Sequence, residues 1–411
     1  MTEQSTTCAV VGGGPAGMIL GLLLARAGVD VTVFEKHPDF LRDFRGDTVH
    51  PVTIRLLDEL GLYSRFLELP LSKMEKISFT VDGHVLTMVD FSGLKLPHSY
   101  MAFVPQWDLL DMLATAAQQE PTFTLRMQTE VTGLLFDGDA VAGVRYLGPD
   151  GPGELRADLT VACDGRTSVV RQAAGFIPRE FDVSFDVAWF RLDAMEGSTY
   201  SLAPRMTKDI TLILLPRVGY FQVGCFIPKG GERALHDLGL ETFRAQVAEA
   251  VTEADAESLT SWDDVKVLDV RVNRLHRWHR EGLLCIGDAA HAMSPAAGVG
   301  INLAIQDAVA TARIVAGPLL SHRLTTGDLA AVRRRRNLPA AVTQRFQLTA
   351  HRFLMPIILR RNIKKPPHVV IAAAAALLSR MPLLAVLPAR FVGVGLRAEH
   401  APLFAQRPDQ P

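Results

Sequence analysis

The sequence predicts an α/β (α+β) fold, in which a Rossmann-type domain built from separated parts of the chain is interleaved with a β-sheet domain and followed by C-terminal helices. Three observations lead to this prediction. A glycine-rich turn joins a strand to a helix near the N-terminus, and two similar strand–turn–helix motifs follow near residues 164 and 288. A long β-rich stretch separates these last two motifs. The length of 411 residues also exceeds that of a usual single hydrophobic core.

The first motif spans residues 8–36. An apolar strand over 8–11 runs into the glycine-rich turn, an apolar helix over 18–27 follows, and a second strand over 29–34 ends on an acidic residue. This is the dinucleotide-binding fingerprint in its full context of strand, turn, helix, strand and acid. We therefore predict that an adenine dinucleotide binds here, although the fingerprint by itself does not decide between FAD and NAD.

The residues of the turn have separate roles. Gly12 permits the tight turn, Gly14 lets the backbone approach a pyrophosphate, and Gly17 lets the helix pack closely on the strand. Pro15 and Ala16 lie in the same turn, and the N-terminus of the helix that follows faces the phosphates with its free N–H groups and the positive end of its dipole. The turn is therefore expected to hold the pyrophosphate.

Charged residues follow the second strand. Glu35 lies where a carboxylate can accept the two hydroxyls of an adenosine ribose, and we assign its neighbour Lys36 to the same site. Arg45 lies in the polar loop 39–50. Two interpretations of Arg45 stay open at this point, a return to the pyrophosphate or a solvated side chain in a flexible loop.

The chain between the first two motifs alternates between helices and strands. We predict, in order, a helix opened by Pro51 and closed by Gly61, a hairpin over 77–89, a helix over 109–118, and a β-meander with strands over 125–131 and 133–146.

The second motif follows a strand over 155–162. Asp164 and Gly165 form a turn, and Thr167 or Ser168 is available to cap the next helix. The carboxylate of Asp164 lies at the carboxyl end of a strand, where ligands of open α/β sheets bind. An Asp-Gly pair is also a common turn, so this motif by itself does not define a function.

The third motif begins with a buried strand that delivers Gly287 and Asp288, and a helix follows from about Gly300 to Ile314. A nicotinamide dinucleotide needs no second anchor of this kind, whereas a flavin needs one for its ribityl chain and ring. Asp288 would accept hydrogen bonds from the ribityl hydroxyls. The helix N-terminus near 298–302 would place N–H donors at the N1–C2=O edge, where reduced flavin carries negative charge. We expect His291 to make a local structural contact.

These three motifs in this order resemble the single-component FAD-dependent aromatic hydroxylases, the p-hydroxybenzoate hydroxylase family. The resemblance covers residues 8–320, and the chain shows no thioredoxin-like C-terminal extension of the kind that larger members carry. It implies that Arg45 and Gln106 contact FAD, and that the Asp-Gly motif serves both FAD and NAD(P)H. The complete set of expected cofactor-binding residues is Gly12, Gly14, Pro15, Ala16, Gly17, Glu35, Lys36, Arg45, Gln106, Val131, Asp164, Gly165, Gly287, Asp288, Pro295, Gly298, Gly300 and Asn302.

The resemblance also implies a reaction. NADH or NADPH reduces FAD, O2 adds to give the flavin C4a-hydroperoxide, and its distal oxygen is transferred to an aromatic or polycyclic small molecule. Such a site needs no dedicated nucleophile, and we assign no catalytic acid or base.

Two alternatives stay open. One is a flavin-dependent reductase of isoprenoid-type double bonds, which would turn over without O2, and the other is a flavoprotein that binds a ligand without turnover. A halogenase is disfavoured because the chain lacks a Trp-x-Trp-x-Ile-Pro-like motif.

The composition argues against several other classes of protein. A formal net charge of −1 gives no global attraction to nucleic acid. Cys8, Cys163, Cys225 and Cys285 each lie in an apolar run, so we expect buried free thiols in a reducing compartment, with neither disulfides nor a metal site. The polar residues 1–7 leave no room for a signal peptide, which predicts a cytoplasmic protein.

The predicted domains divide the chain as follows. Residues 1–75, 100–180 and 275–325 form the FAD-binding domain, 76–99 and 181–274 form a β-rich substrate domain, and 326–411 form a basic and apolar helical region. Within the substrate domain we expect strands over 187–192, 211–215 and 220–227 and a helix over 241–251, with the aromatic residues mostly in its core.

The C-terminal region lacks Asp and Glu over residues 329–398 but contains many arginines and lysines among apolar patches. Its helices either pack on the acidic remainder of the chain or form a surface that rests on anionic lipid and admits a lipophilic substrate. No apolar patch here is long enough to cross a bilayer. The choice between a monomer and a homodimer also stays open.

Overall fold

The computed structural model describes residues 4–41, 48–81, 84–196, 203–359, 381 and 383–409. Its strands, in chain order, are β1 (Ser5–Val11), β2 (Val31–Phe34), β3 (Thr48–Val49), β4 (Ser72–Met74), β5 (Lys76–Val81), β6 (His84–Asp90), β7 (Met101–Phe103), β8 (Phe123–Arg126), β9 (Glu130–Asp137), β10 (Ala140–Gly148), β11 (Gly151–Ala162), β12 (Pro178–Phe181), β13 (Phe185–Ala194), β14 (Ala203–Met206), β15 (Thr211–Pro216), β16 (Tyr220–Pro228), β17 (Ala254–Asp255), β18 (Lys266–Leu268), β19 (Val272–Leu275), β20 (His279–Arg280) and β21 (Leu283–Cys285). Its α-helices are α1 (Pro15–Arg26), α2 (Pro51–Glu59), α3 (Tyr63–Leu67), α4 (Gln106–Ala117), α5 (Val169–Ala173), α6 (Glu232–Asp237), α7 (Leu240–Ala250), α8 (Val299–Leu320), α9 (Thr326–Ile358) and α10 (Leu383–Gly393).

The main sheet has the strand order β20-β21-β11-β1-β2-β8, and the hairpin β9–β10 extends it from β11. Strand β1 pairs in parallel with β11 and β2, and β11 pairs in parallel with β21. Because parallel strands end at the same edge of a sheet, the residues that follow β1, β11 and β21 lie together. These residues are the three motifs found in the sequence.

Helix α1 packs between this sheet and helices α4 and α8, and all of its residues from 16 to 25 are buried. It ends before Gly28, whose φ of +87° suits the glycine expected at this position. Cys8 and Cys285 lie in the same core, Cys225 lies in the core of the second sheet, and Cys163 is half-buried. All four are free thiols, and three of them are buried as predicted.

The second sheet is antiparallel, with the order β14-β15-β16-β13-β17 and with β18 also paired to β13. Helix α7 covers one face, where Phe190 and Phe243 are buried with ring centroids 5.5 Å apart. The opposite face carries Phe185 and Val187, which pack against Met355 of α9. The predicted strands of this region and its helix are confirmed by β13, β15, β16 and α7.

The predicted hairpin over 77–89 is confirmed by the antiparallel pair β5–β6, although its turn residues Asp82 and Gly83 lie outside the described residues. Pro51 opens α2 at its first position, and Gly61 follows the helix with a φ of +69°. This second helix therefore begins and ends on the predicted residues.

The predicted β-meander is wrong in its first strand. Strand β8 ends at Arg126 and pairs in parallel with β2, so it belongs to the edge of the main sheet. The chain then turns through Gln128, which has a φ of +51° and donates its backbone N–H to His37 O at 2.9 Å. The turn contains neither Gly nor Pro, and the alternation of apolar residues across it resembles a single strand. The second part of the meander is confirmed as the antiparallel hairpin β9–β10.

The C-terminal helices pack on the rest of the chain. Helix α8 extends beyond its predicted end to Leu320 and lies against α1 and α9. The segment Ala296–Leu320 is long and apolar enough to span a membrane by composition, but 67% of its apolar window is buried inside the protein. It is therefore a core helix.

After α10 the chain returns to its first hundred residues. Ala401 N donates to the Glu59 carboxylate at 2.7 Å, and Arg26 Nη1 donates to Ala405 O at 2.9 Å. The Glu399 side chain is fully buried and forms ion pairs with Arg335 and Arg336. Part of the basic C-terminal charge is therefore neutralised inside the protein.

The division into domains stays a prediction. Its support is that the main sheet takes strands from residues 5–34, 123–162 and 279–285, whereas the second sheet takes them from 185–268.

Candidate cofactor and active site

The three motifs are linked by backbone hydrogen bonds at the carboxyl edge of the main sheet. Gly12 N donates to Phe34 O at 2.8 Å, Cys163 N donates to Val11 O at 2.8 Å, and Ile286 N donates to Ala162 O at 3.1 Å. The glycine-rich turn, the Asp-Gly motif and the third motif therefore follow one another along this edge.

The glycines of the first turn differ in what surrounds them. A Cβ on Gly17 would lie 1.9 Å from Gly12 O, and a Cβ on Gly12, whose φ is +105°, would lie 2.6 Å from Cys163 O. A Cβ on Gly14 would meet no atom within 4 Å. Gly12 and Gly17 are thus required by the fold itself, whereas the face of Gly14 is left open for a ligand.

The acid after β2 is held beside this turn. Glu35 accepts hydrogen bonds from Gly13 N at 3.1 Å and from His37 N at 3.0 Å, and it is 7% exposed. Lys36 next to it is exposed. Arg45 lies outside the described residues. The carboxylate therefore has the position that the fingerprint predicts, at the end of β2 and in contact with the glycine-rich turn.

In the second motif Ser168 caps α5 by accepting a hydrogen bond from Arg171 N at 2.9 Å. One carboxylate oxygen of Asp164 accepts from Val170 N at 3.1 Å, while the other is buried and has no hydrogen-bond partner among the described residues. Burial raises the pKa of Asp164 above its usual range. A buried acceptor without a partner is costly, so a ligand hydroxyl or N–H would stabilise it.

Asp288 forms an ion pair that the sequence did not predict. Arg166 Nε donates to Asp288 Oδ2 at 3.1 Å, which joins the second motif to the third. The Nη1 atom of Arg166 is buried and has no partner within the described part of the chain. Gly287, which precedes Asp288, has a φ of +57° and lies against Ala304 and Ala16.

The turn at Gly287 is fixed by Asp307 of α8, whose side chain is fully buried. Asp307 accepts from Gly287 N at 3.1 Å, from His291 Nε2 at 2.5 Å and from Arg336 Nε at 2.9 Å. Burial alone would raise the pKa of Asp307, but its interactions with His291 and Arg336 lower it below the usual range. The carboxylate is therefore ionised and accepts the proton of His291 Nε2. This confirms the local structural contact expected of His291.

The loop before α8 has an unusual backbone. Ala297 and Gly298 have φ values of +62° and +60°, and α8 begins at Val299. A Cβ on Gly298 would lie 1.9 Å from Thr48 Oγ1. Asn302 accepts from His50 N at 3.0 Å and donates to Thr48 O at 3.3 Å. The side chain of Asn302 thus holds this loop against residues 48–50, so any contact that it makes with a cofactor is through its backbone.

Helix α9 contributes polar side chains to this loop that the sequence did not predict. Gln347 bonds both Ser294 and Ala296, and His351 Nε2 lies 3.0 Å from Ser294 Oγ. The helical spacing of these residues was visible in the sequence, but nothing there indicated their partners. Burial lowers the pKa of His351 and that of His50 to about 4, so both imidazoles are neutral at neutral pH.

Comparison with known families decides the nature of the ligand. Residues 5–346 match the family described as the FAD binding domain. The chain belongs to this family. FAD is therefore the dinucleotide for which the three motifs are built, and the choice between FAD and NAD that the first motif left open is settled.

Curated relatives identify the reaction class. The chain is 35% identical over 355 residues to the 6-methylpretetramide 4-monooxygenase of Streptomyces rimosus, across 85% of this chain and 84% of the relative. It is 33% identical to a 12-dehydrotetracycline 5-monooxygenase/anhydrotetracycline 6-monooxygenase of Streptomyces rimosus subsp. rimosus, across 73% of this chain but only 60% of that relative. The chain is an FAD-dependent monooxygenase of small aromatic molecules. The reductase alternative is not supported.

Solved structures agree in fold. An anhydrotetracycline hydroxylase of Streptomyces rimosus superposes with a TM-score of 0.74 at 24% identity, across 95% of this chain and 76% of that chain. A p-nitrophenol 4-monooxygenase of Pseudomonas putida gives a TM-score of 0.74 at 20% identity, across 96% of this chain and all of the other. Together with the mixed parallel and antiparallel sheets, this confirms the predicted fold class.

The residues at the sheet edge fit FAD on two observations. Gly14 leaves room for a pyrophosphate that any Cβ would fill. Among the described residues, Asp164 Oδ1 and Arg166 Nη1 are buried polar atoms that have no hydrogen-bond partner. The individual cofactor-binding residues stay predictions, among them Gln106 at the start of α4 and the buried Val131 in β9.

Two glycine variants test the first turn. Gly14→Val should abolish FAD binding while the apo-protein keeps its melting temperature, because the new side chain meets only the space of the ligand. Gly17→Val should lower the melting temperature of the apo-protein, because its Cβ overlaps Gly12 O. Absorbance after reconstitution with FAD and thermal unfolding followed by circular dichroism measure both effects. A yellow Gly14→Val protein with unchanged FAD affinity would contradict the assignment.

A second prediction concerns pH. The pKa of His351 is lowered to about 4, whereas a histidine in the unfolded chain titrates near ~6.5. The unfolded chain therefore takes up a proton first, so this contribution to stability is complete above about pH 6.5 and is lost as the pH falls toward 4. His351→Gln should reduce the slope of the unfolding free energy in this range by about one proton, ~1.4 kcal/mol per pH unit.

Urea unfolding at several pH values between about 4.5 and 7 measures this slope. His322→Gln, at a side chain that is 73% exposed, is the control for the loss of a histidine at the surface. Parallel curves for the wild type and His351→Gln would refute the assignment of a buried neutral imidazole.

Proposed function

We propose that this FAD-dependent monooxygenase hydroxylates a planar polycyclic aromatic substrate of the 6-methylpretetramide type, with NADH or NADPH as electron donor and O2 as oxygen donor. The single observation that supports this substrate class is the 35% identity to the 6-methylpretetramide 4-monooxygenase over 84% of that protein. Nitrophenol-type substrates are the smaller alternative, since a para-nitrophenol 4-monooxygenase is 26% identical.

Three residues that pair side by side across the second sheet form a flat row, and this row supports a planar substrate. Gly224 of β16 pairs with Trp189 of β13 on one side and with Ile213 of β15 on the other. A Cβ on Gly224 would lie 2.9 Å from the Trp189 ring, so the indole extends over the glycine. The Nε1 atom of Trp189 is buried without a partner among the described residues. We infer that this row forms the wall of the substrate cavity and that Trp189 donates a hydrogen bond to a substrate oxygen.

An open cleft lies between the second sheet and the start of α4, and we infer that the substrate enters there. Its volume is about 340 Å³, and it is lined by Pro105 and Trp107 on one side and by Arg191 and Tyr220 on the other. This volume lies in the range of small-molecule sites. The cleft adjoins Gln106, so we infer that it leads toward the cofactor.

The residues of the chain bind and orient the cofactor and the substrate, while FAD supplies the redox chemistry by accepting a hydride and activating O2. The N-terminus of α1 would hold the pyrophosphate, Asp288 would hold the ribityl chain, and the N–H groups at the start of α8 would stabilise negative charge on the flavin ring. The substrate wall excludes water from the site of transfer. No described side chain is assigned as a catalytic acid or base.

The activity test uses the purified protein reconstituted with FAD. NAD(P)H oxidation should be stimulated by 6-methylpretetramide more than by p-nitrophenol, should require O2, and should yield a product heavier by one oxygen atom. Oxidation that persists without O2 would refute oxygen transfer. Stimulation by p-nitrophenol alone would refute the polycyclic substrate while leaving the monooxygenase intact.

Peripheral membrane contact, a homodimer and a cytoplasmic location stay predictions. Phe353 of α9 is 67% exposed beside the exposed Arg352, which supports a lipid contact, whereas the ion pairs of Arg335 and the buried Arg336 with Glu399 support internal packing. The full chain should pellet with anionic vesicles at low salt and detach as salt rises, and neutral vesicles are the control. If the protein stays in solution with anionic vesicles at low salt, the contact is absent.

A further inference from the structure

One side chain of α9 holds the loop before α8 by three hydrogen bonds. Gln347 Nε2 donates to Ser294 O at 3.1 Å and to Ala296 O at 2.9 Å, and Gln347 Oε1 accepts from Ser294 N at 3.2 Å. Gln347 is 3% exposed, so these bonds form away from bulk water. A buried amide that uses both of its donors and its acceptor on one loop fixes the position of that loop.

The loop needs such support because its backbone is strained. Ala297 follows the last bonded residue and has a φ of +62°, a conformation that residues with a side chain rarely adopt. Ser294 Oγ accepts from Ala296 N at 3.2 Å and lies 3.0 Å from His351 Nε2. Ser294 Oγ therefore bonds both the imidazole of His351 and the backbone N–H of Ala296. Gln347 and His351, one helical turn apart, therefore hold the residues immediately before the strained position.

We propose that Gln347 is a positioning residue of the oxygenation reaction, which fixes the backbone from Pro295 to Gly298 against the flavin ring and so determines how much NAD(P)H is converted into hydroxylated product. This inference rests on the proposed placement of the ring beside that loop. A displaced loop would open one wall of the site to water. The coupled reaction converts NAD(P)H, H⁺, O2 and substrate into NAD(P)⁺, hydroxylated product and water. The uncoupled reaction converts NAD(P)H, H⁺ and O2 into NAD(P)⁺ and H2O2.

Gln347→Glu tests the proposal because its effect depends on pH. The carboxylate places an acceptor against the carbonyls of Ser294 and Ala296, whereas the protonated acid can donate to one of them. In the holoenzyme we expect product per NAD(P)H to fall at least about fivefold at pH 8 and to recover at pH 6, while the FAD dissociation constant changes less than about threefold. The visible circular dichroism of bound FAD should change with the same pH dependence.

Gln344→Glu is the matched control. Gln344 lies on the same helix, is 1% exposed, and donates to Asn273 O at 2.7 Å and to Ala292 O at 2.9 Å. It makes the same kind of buried contact before the loop begins. Gln344 Oε1 also accepts from Arg274 Nη1 at 3.1 Å, so a glutamate at this position keeps a cationic partner. Gln344→Glu should leave the visible spectrum of FAD and its pH dependence as in the wild type.

The proposal is overturned if Gln347→Glu leaves coupling and flavin circular dichroism unchanged at both pH values, or if Gln344→Glu produces the same changes. Gln347→Met, which keeps the length of the side chain without its polar atoms, replaces the glutamate variant if that variant does not fold and should uncouple at every pH. The wild-type activity test is separate. A chain that hydroxylates no probe refutes the proposed substrate, and the circular dichroism of bound FAD then decides the role of Gln347.

Discussion

The carboxylate of Asp307 is the constraint on which the cofactor edge depends. It is fully buried, and it receives the backbone N–H of Gly287, the imidazole of His291 and the guanidinium of Arg336. One side chain therefore fixes the third motif, the helix that follows it and the long helix α9 relative to one another. Removing one partner from such a buried ion pair typically costs ~3–5 kcal/mol, because the remaining charge stays in a water-excluded environment.

A second constraint is the parallel pairing of β1 with β11 and of β11 with β21. The three motifs are far apart in the sequence, and only this pairing brings them to one edge. Arg166 adds a side-chain contact, since its ion pair with Asp288 joins the residues that follow β11 to those that follow β21. The predicted cofactor site is therefore a property of the sheet as a whole, whereas the second sheet has its own core.

The sequence predicted those features that depend on local patterns. The strand–turn–helix motifs, the proline and glycine that delimit α2, the hairpin β5–β6 and the alternating strands β13, β15 and β16 each have a local signature. The parallel pairing of β8 was missed because the turn at Gln128 depends on a tertiary hydrogen bond to His37 O. Arg166 and Gln347 were missed for the same reason, since their partners lie 122 and 53 residues away along the chain.

Residues 397–409 pack against the N-terminal part of the chain, and this packing has a consequence for biosynthesis. Arg336 is buried and Arg335 is partly exposed, and both form ion pairs with the buried Glu399, while Arg336 also bonds Asp307. While the chain emerges from the ribosome, the Rossmann strands and α8 are made long before that glutamate is available. Until residue 399 has been made, Arg336 has only one of its two buried carboxylate partners, so the edge that carries the three motifs lacks part of its support. Residues near the end of the chain therefore contribute to the support of an edge whose strands are made much earlier.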